Sequence, residues 1–350
     1  MKIKYAVLIL CLVLFALPLV SCTQKQAEPQ VRSYFDWFDT VSAIYSYADD
    51  GEADFKANCA AVTEVLEKYH RLFDIYYEYA GVNNLCTVNK NAGKAPVEVD
   101  RALIDFLEYA KELYTLTDGE MNIALGAVLK PWHDHRTEAN DGGEATLPDD
   151  AILSEAARHI DIDCIVIDRE ASTVYISDPD ARIDVGALGK GYATEMAARA
   201  LAEKGVTSYV LNIGGNVRCI GTRPTGEGWI TGITNPDKSS EEPFVCRVEL
   251  RNVSCVTSGN YERFYTVNGK RYHHIIDKDT LMPSEHFALV SVICADSGLA
   301  DGLSTALFCM SYEDGLALVS SLDGVEVLWV TQNGDRYTTE GFDKIVINKR

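Results

Sequence analysis

Apolar and polar positions alternate along this chain in two different periods, which predicts both helices and strands. Apolar residues recur every three to four positions, as on one face of an amphipathic helix, in 55–69, 101–116 and 297–311. Asp100 precedes the second of these helices as an N-cap, and Gly119 follows it as a C-terminal stop. Shorter helices are predicted at 149–159 and 192–203. Runs of β-branched and aromatic residues predict strands at 33–47, 164–167, 173–176, 182–185, 208–213, 325–330 and 336–348. We therefore expect a mixed α+β fold.

Residues 133–149 are mostly polar and lack a helical period, so they predict a loop. His133 and His135 have the spacing that two ligands on a strand would need. In a loop, without a third ligand in view, they give little reason to expect a metal site.

The first 21 residues predict a signal peptide that is absent from the mature fold. A basic start at Lys2 and Lys4 is followed by an apolar run, and Leu19-Val20-Ser21-Cys22 resembles a lipobox. We therefore expect Cys22 to be lipidated, residues 22–33 to form a polar tether, and the protein to be exported and anchored to the bacterial cell membrane. The alternative is a membrane-spanning helix, but an apolar run of about 16 residues is short for a span.

The charge of the chain limits its partners. Without Lys2 and Lys4, 30 basic residues face 52 acidic ones, a formal net charge of −22. Such a chain does not attract nucleic acid through its overall field, and it repels anionic substrates unless a local cation intervenes. Eight cysteines follow Cys22 without a C-x-x-C pair, so their disulfide state stays open.

A glycine-rich stretch from Asp184 to Tyr192 joins a predicted strand to a predicted helix. Glycines let a backbone approach a ligand closely, and the free N–H groups of a helix N-terminus attract anions. Lys190 adds a positive charge and Asp184 a carboxylate. The stretch predicts a phosphate-binding turn, with an ordinary strand-to-helix connection as the alternative, since it matches neither common glycine-rich nucleotide motif.

Asp301 and Thr305 lie four residues apart in the last predicted long helix, and therefore on one face. A carboxylate and a hydroxyl are hard oxygen ligands of the kind Mg²⁺ prefers. The alternative is an Asp–Thr hydrogen bond on a solvated face.

Taken together, the motifs resemble those of the ApbE family, the FAD:protein FMN transferases, in order and spacing. The resemblance extends from about Phe38 to Leu318, and it implies a flavin transferase domain over 34–350. The motifs that carry it are Thr117-Asp118-Gly119-Glu120-Met121-Asn122, Asp184 to Tyr192, Asn212-Ile213-Gly214-Gly215-Asn216, Thr257-Ser258-Gly259-Asn260-Tyr261, His274-Ile275-Ile276-Asp277 and Ala300 to Leu307.

The resemblance implies two interleaved subdomains of sheet plus helices with an FAD cleft between them, and Mg²⁺ on the pyrophosphate of FAD. By position, the implied metal ligands are the Ala187 carbonyl and the side chains of Asp301 and Thr305. The implied FAD contacts are Phe38, Tyr76, Glu120, Met121, Asn122, Asp184, Lys190 and Ile275.

The family reaction moves FMN from FAD onto a threonine hydroxyl of a partner flavoprotein and releases AMP. This chain has no Ser-Gly-Ala-Thr acceptor segment, so the acceptor is expected to be another protein. His274 is the candidate base for that hydroxyl, because imidazole titrates near neutral pH, and a structural histidine is the alternative.

Three positions depart from the family pattern. Asn122 stands in place of an aspartate, Lys278 in place of a proline and Leu281 in place of a glycine, so the loop after His274 is expected to differ in shape. Two other functions share the same pocket: hydrolysis of FAD to FMN and AMP, and flavin binding without turnover.

Overall fold

The computed structural model of the chain describes residues 28–347. The predicted signal peptide and Cys22 lie outside this range. Within it, no helix combines the length and apolar character that crossing a bilayer requires. The first strand begins at Gln30, so the end of the predicted tether, 30–33, is already paired with 43–46.

The strands of this part of the chain are β1 Gln30–Trp37, β2 Thr40–Ser46, β3 Val97–Glu98, β4 Ile165–Asp168, β5 Thr173–Ile176, β6 Tyr209–Ile213, β7 Asn216–Ile220, β8 Trp229–Thr234, β9 Phe244–Leu250, β10 Ser254–Gly259, β11 Phe264–Val267, β12 Lys270–His273, β13 Leu289–Cys294, β14 Glu326–Val330 and β15 Arg336–Thr338. Eight form one antiparallel sheet in the order β1-β2-β6-β7-β10-β13-β14-β15. The others form a three-stranded sheet, β3-β5-β4, and the hairpins β8-β9 and β11-β12.

The α-helices are α1 Glu52–Phe73, α2 Leu85–Lys90, α3 Arg101–Leu116, α4 Gly126–Asn140, α5 Asp150–Ala156, α6 Gly189–Glu203, α7 Ser297–Cys309, α8 Tyr312–Ser320 and α9 Phe342–Ile345. One core joins α1, α3 and α6, and a second joins α7 and α8 to β13 and β14. Helix α6 packs against both α1 and α7. The mixed α+β class is confirmed, with one continuous sheet shared by the two cores.

Several predicted elements are confirmed, and one of them also at its boundaries. Helix α3 occupies the predicted residues, the Asp100 side chain accepts from the N–H of Ala102, and Gly119 has a φ of +85°. The long first helix and the helix that begins at Ser297 are also confirmed, as is the β4-β5 hairpin.

Three predictions are wrong. Residues 133–140 belong to α4, whose apolar face ends at Trp132, so the last two turns show no apolar period. The predicted strand 182–185 is reduced to a single bridge between Leu125 and Arg182, because the Asn89 side chain takes both backbone hydrogen bonds of Ile183. The predicted strand 336–348 ends at Thr338 and is followed by α9.

The eight cysteines after Cys22 are all free thiols, seven of them buried. Burial among apolar side chains, rather than pairing, accounts for their place in the fold.

Candidate active site

Helices α6 and α7 pack closely against each other at Gly191 and Asp301. A Cβ atom on Gly191 would stand 2.3 Å from the Cβ of Asp301 and 2.4 Å from the carbonyl oxygen of Ser297. The Gly191 N–H donates to Oδ2 of Asp301 at 2.7 Å. The missing side chain therefore lets a helix N-terminus hold the buried carboxylate of the next helix.

Asp301 is 5% exposed, and no ion pair to it occurs within the described residues. Burial raises the pKa of this carboxyl, while the positive charge of Lys190 and the N–H of Gly191 act in the opposite direction. A buried carboxylate without a close cation is costly unless a cation binds there. The site thus has the electrostatic character of a metal site.

Oxygen and amide groups surround this carboxylate. Thr305 lies one turn further along α7, and its Oγ1 is 3.5 Å from the Oγ of Ser258. Asn216 is buried at the start of β7, and its Nδ2 has no hydrogen-bond partner within the described residues, although its side-chain amide lowers the pKa of Asp301. The Gly214-Gly215 turn, with φ of +56° and +93°, brings Asn216 to this position.

The glycine-rich turn before α6 uses most of its N–H groups internally. Gly186 donates to Oδ1 of Asp184 at 2.9 Å, and Leu188 and Gly189 both donate to the Val185 carbonyl. The Gly191 N–H is committed to Asp301, so these four N–H groups are not free for an anion, and phosphate binding by this turn stays a prediction. Gly186 is exposed and Ala187 is half-buried in this turn, and the Lys190 ammonium is 3.3 Å from the Gly186 carbonyl.

Tyr76 and helix α4 contact each other beside this turn. The Tyr76 ring lies 5.2 Å from that of His133, whose Nδ1 accepts from the Arg136 guanidinium at 3.0 Å. Burial and then the negative charge of Asp184 raise the pKa of Tyr76 to about 12. The second histidine of the pair, His135, forms a hydrogen bond with the Thr146 hydroxyl through Nδ1, so the two histidine rings have different hydrogen-bond partners.

His274 lies among cations. Burial, together with the positive charges of Arg263, Arg136 and Lys190, lowers its pKa to about 3. Its Nδ1 is 3.2 Å from the Arg263 carbonyl, which accepts a hydrogen bond and leaves Nε2 with the lone pair. The preceding His273 is structural, because Nε2 donates to the Ser284 carbonyl and Nδ1 accepts from Ile275.

The segment Glu120-Met121-Asn122 is held by a different set of contacts. Met121 is buried in the first core, and the Asn122 side chain is occupied by Ala124 N–H and the Ile160 carbonyl. The Glu120 carboxylate forms an ion pair with the Lys278 ammonium at 3.2 Å. The departure at Lys278 thus supplies a cation to a predicted FAD contact.

Leu281 keeps the backbone conformation of a glycine despite its side chain. Its φ is +60°, and its carbonyl accepts from the Trp132 indole at 2.9 Å. The expectation of a changed loop shape at this position is therefore not supported by the local conformation.

The structure brings part of the predicted set together. Lys190 lowers the pKa values of Asp301 and His274, and Asp184 raises those of Tyr76 and His133. The positive charge of Arg136 acts on His274, Tyr76 and His133, which joins the two groups in one electrostatic neighbourhood. Phe38 lies at the edge of this region, and its N–H donates to His70 Nδ1. The negative charge of the neighbouring Asp39 raises the pKa of Tyr76. The Ile275 side chain is buried in the second core, which leaves mainly its backbone for a ligand.

Sequence reasoning missed Arg136, Arg263 and Asn216. Arg136 fell in the segment assigned to a loop, and Arg263 lies in a turn with no pattern. Asn216 was within a quoted motif, where its place directly after two glycines was the available signal.

Comparisons with known proteins agree on one family. The family model described as ApbE matches residues 38–329. An FAD:protein FMN transferase of Treponema pallidum is 34% identical over 262 residues, 70% of each chain. One of Haemophilus influenzae is 27% identical over 345 residues, covering 94% of this chain and 93% of the relative. The crystal structure of the ApbE protein of Thermotoga maritima has a TM-score of 0.78 at 25% identity, covering 92% of this chain and 100% of that one.

Proposed function

The chain belongs to the ApbE family, and from this premise we infer that it is an FAD:protein FMN transferase, an enzyme that transfers FMN from FAD to an acceptor protein. The match to relatives of that name over most of the chain carries this conclusion. The site described above is suited to the substrate, because the dinucleotide is a dianion and Lys190, Arg136 and Arg263 are cationic.

The cations make anion binding possible in an acidic protein. Lys190, Arg136 and Arg263 come from separate elements, and all three lower the pKa of His274, so their fields overlap at that ring. A local positive field of this kind overrides the repulsion expected from the net charge. We propose that it holds the pyrophosphate of FAD, with Phe38, Tyr76, Glu120 and Asp184 at the rest of the nucleotide.

We propose that Mg²⁺ is held by the Asp301 carboxylate, the Thr305 hydroxyl and the Ala187 carbonyl. Support comes from three hard oxygen donors and from a buried carboxylate that lacks an ion pair in the described chain. When bound there, the ion would supply positive charge to the pyrophosphate oxygens. Gly191 orients the carboxylate, and Asn216 offers a further amide next to it.

We propose that the acceptor group is a threonine hydroxyl and that His274 removes its proton. The hydroxyl oxygen forms a bond to the phosphorus of the FMN half, the bond from that phosphorus to the bridging oxygen breaks, and AMP leaves with the electron pair. The hydroxyl proton passes to Nε2 of His274, which is free because Nδ1 faces the Arg263 carbonyl. Since the pKa is low, the ring is neutral at physiological pH and the Nε2 lone pair is unprotonated.

We also propose that the protein is exported and lipidated at Cys22. The basic start, apolar run and lipobox of residues 1–22 support this location. Incorporation of labelled palmitate into the wild-type chain, and its loss in Cys22→Ser, would test the anchor. Equal labelling of both chains would contradict it.

The transferase reaction is tested with FAD, Mg²⁺ and a peptide that contains Ser-Gly-Ala-Thr. Mass spectrometry should find one FMN on the threonine, with AMP released in equal amount, and no transfer to a peptide with valine in place of threonine. Rapid AMP release without peptide would identify a pyrophosphatase instead. Retention of intact FAD after long incubation would identify a flavin-binding protein.

A further inference from the structure

Strand β1 is an edge of the eight-stranded sheet. It pairs with β2 on one side, and within residues 28–347 no strand pairs with its other side. The strand is also apolar in places where it meets solvent, since Val31 is 48% exposed and Phe35 is 71% exposed. Open edges with exposed apolar residues attract a further strand unless they are protected.

A groove of about 600 Å³ lies between β1 and the outer face of α1. The charged side chains that line it are Arg32 from β1 and, from α1, Lys56, Lys68, Arg71, Glu64 and Glu67. Four basic groups thus face two acidic ones, in a chain that is acidic overall.

Two of the four basic groups in the groove are already paired with carboxylates. Arg71 pairs with Glu67, and Lys68 pairs with Asp100. Arg32 and Lys56 form no ion pair within the described part of the chain. These two cations are therefore available to an acidic partner, and their attraction would be weakened by salt.

The groove leads to the candidate active site. Strand β1 ends at Trp37, directly before Phe38, whose N–H is bound by His70 from the end of α1. On the same side Arg71 lies over the Tyr79 ring at 5.8 Å, and Asp39 influences the pKa values of both Tyr79 and Tyr76. A chain that followed β1 toward its C-terminal end would arrive beside the predicted flavin contacts.

We propose that the open edge of β1 and this groove bind an extended, acidic segment of the acceptor protein as an additional strand, next to the threonine that receives FMN. The proposal rests on the transferase function, which requires a protein chain to reach the site. Backbone pairing supplies affinity without a fixed sequence, and the basic groove supplies the charge preference. Eight residues of β1 extend over about 26 Å, so the segment would be six to eight residues long.

The test uses Ser-Gly-Ala-Thr peptides with an eight-residue flank of alternating glutamate and threonine, placed before or after the acceptor segment. Control peptides carry glutamine in place of glutamate. The enzyme variants are Arg32→Glu/Lys56→Glu and, as a control with the same change of charge on exposed lysines outside the groove, Lys94→Glu/Lys204→Glu.

With wild-type enzyme, one of the two acidic peptides should have a lower KM than its glutamine control, and the placement of that flank defines the direction of the added strand. In Arg32→Glu/Lys56→Glu this KM should rise about fivefold or more, since two attractions become repulsions. The KM for FAD and the maximal rate should not change, and the control variant should behave as wild type.

Equal KM values for all peptides, or an unchanged KM in the groove variant, would overturn the proposal while leaving the transferase function intact. Absence of FMN on every peptide with wild-type enzyme would instead refute the function. Loss of self-association or of binding to anionic vesicles in the groove variant, without a change in peptide KM, would assign the edge to a second copy or to a membrane and would also overturn the proposal.

Discussion

Replacing Gly191 with alanine adds one methyl group at the point where α6 and α7 touch. The new carbon would lie 2.3 Å from the Cβ of Asp301 and 2.4 Å from the Ser297 carbonyl oxygen. Neither atom can rotate away, because one is attached directly to the backbone and the other is part of it. Carbon atoms pack at about 3.5 Å, so the helices must separate by roughly 1 Å at this contact.

The cost in stability should be modest. Overpacking of this kind costs about 1–3 kcal/mol. Alanine is favoured over glycine within a helix by about 1 kcal/mol. The free energy of unfolding should therefore fall by about 0–2 kcal/mol, which leaves most molecules folded.

The cost in activity should be much larger. The shift lengthens the 2.7 Å hydrogen bond from Gly191 to Asp301 and moves the carboxylate, together with Thr305 on the same helix, away from the Ala187 turn. A displacement of about 1 Å in a reacting group can reduce a rate about 100-fold. We expect the transfer rate to fall by that order.

The assay measures FMN transfer to the threonine peptide alongside thermal unfolding. Gly315→Ala is the matched control: its Cβ would lie 3.1 Å from Cδ2 of Leu307, a side-chain end that can move, and it lies on α8. The control should keep full activity. A stable Gly191→Ala enzyme with the wild-type rate would show that this contact does not position Asp301.

Three further outcomes follow from the same site. Asp301→Asn should abolish Mg²⁺-dependent transfer, and Mg²⁺ at about 100 times its Kd should stabilise wild type by about 2.7 kcal/mol without stabilising the variant; full activity would refute the metal assignment. Because the pKa of His274 falls from 6.5 to about 3 on folding, the unfolded chain binds an extra proton between these values, so stability declines as pH falls through this window. His274→Ala should flatten that decline in urea titrations and slow transfer, and an unchanged rate would remove its role as base. Arg136→Gln should raise the KM for FAD about tenfold through loss of a charged contact, and an unchanged KM would place Arg136 outside the FAD site.

The local sequence pattern was sufficient to predict a helix and its ends where the helix buries one face along its whole length. In α3 the apolar period, the Asp100 cap and the Gly119 stop all agree, and each boundary was predicted. The pairing of Asp301 with Thr305 also follows from helical spacing alone. Spacing does not predict the hydrogen-bond partner of Asp301. Gly191 lies 110 residues away in sequence and meets Asp301 only because two helices pack together there.

The missed features have tertiary causes. Helix α4 continues past Trp132 because that indole is fixed by Leu281 and packs near Tyr265 and Tyr272, so its polar end stays helical without an apolar face. Arg136 was not predicted as a site residue because it lies in that segment. At Ile183, a side-chain amide replaces the neighbouring strand that the apolar run predicted. No local propensity encodes either arrangement.

The same tertiary origin explains how an acidic protein concentrates positive charge at one ring. Arg136 belongs to α4, Arg263 to the turn before β11 and Lys190 to α6, and each lowers the pKa of His274. In the absence of substrate this field makes His274 a weak base. A bound pyrophosphate places negative charge among these cations and offsets their effect, which moves the pKa of His274 back toward its ordinary value. On the mechanism proposed above, binding of FAD would therefore strengthen His274 as the base for the acceptor hydroxyl, once the phosphorus to be attacked is in place.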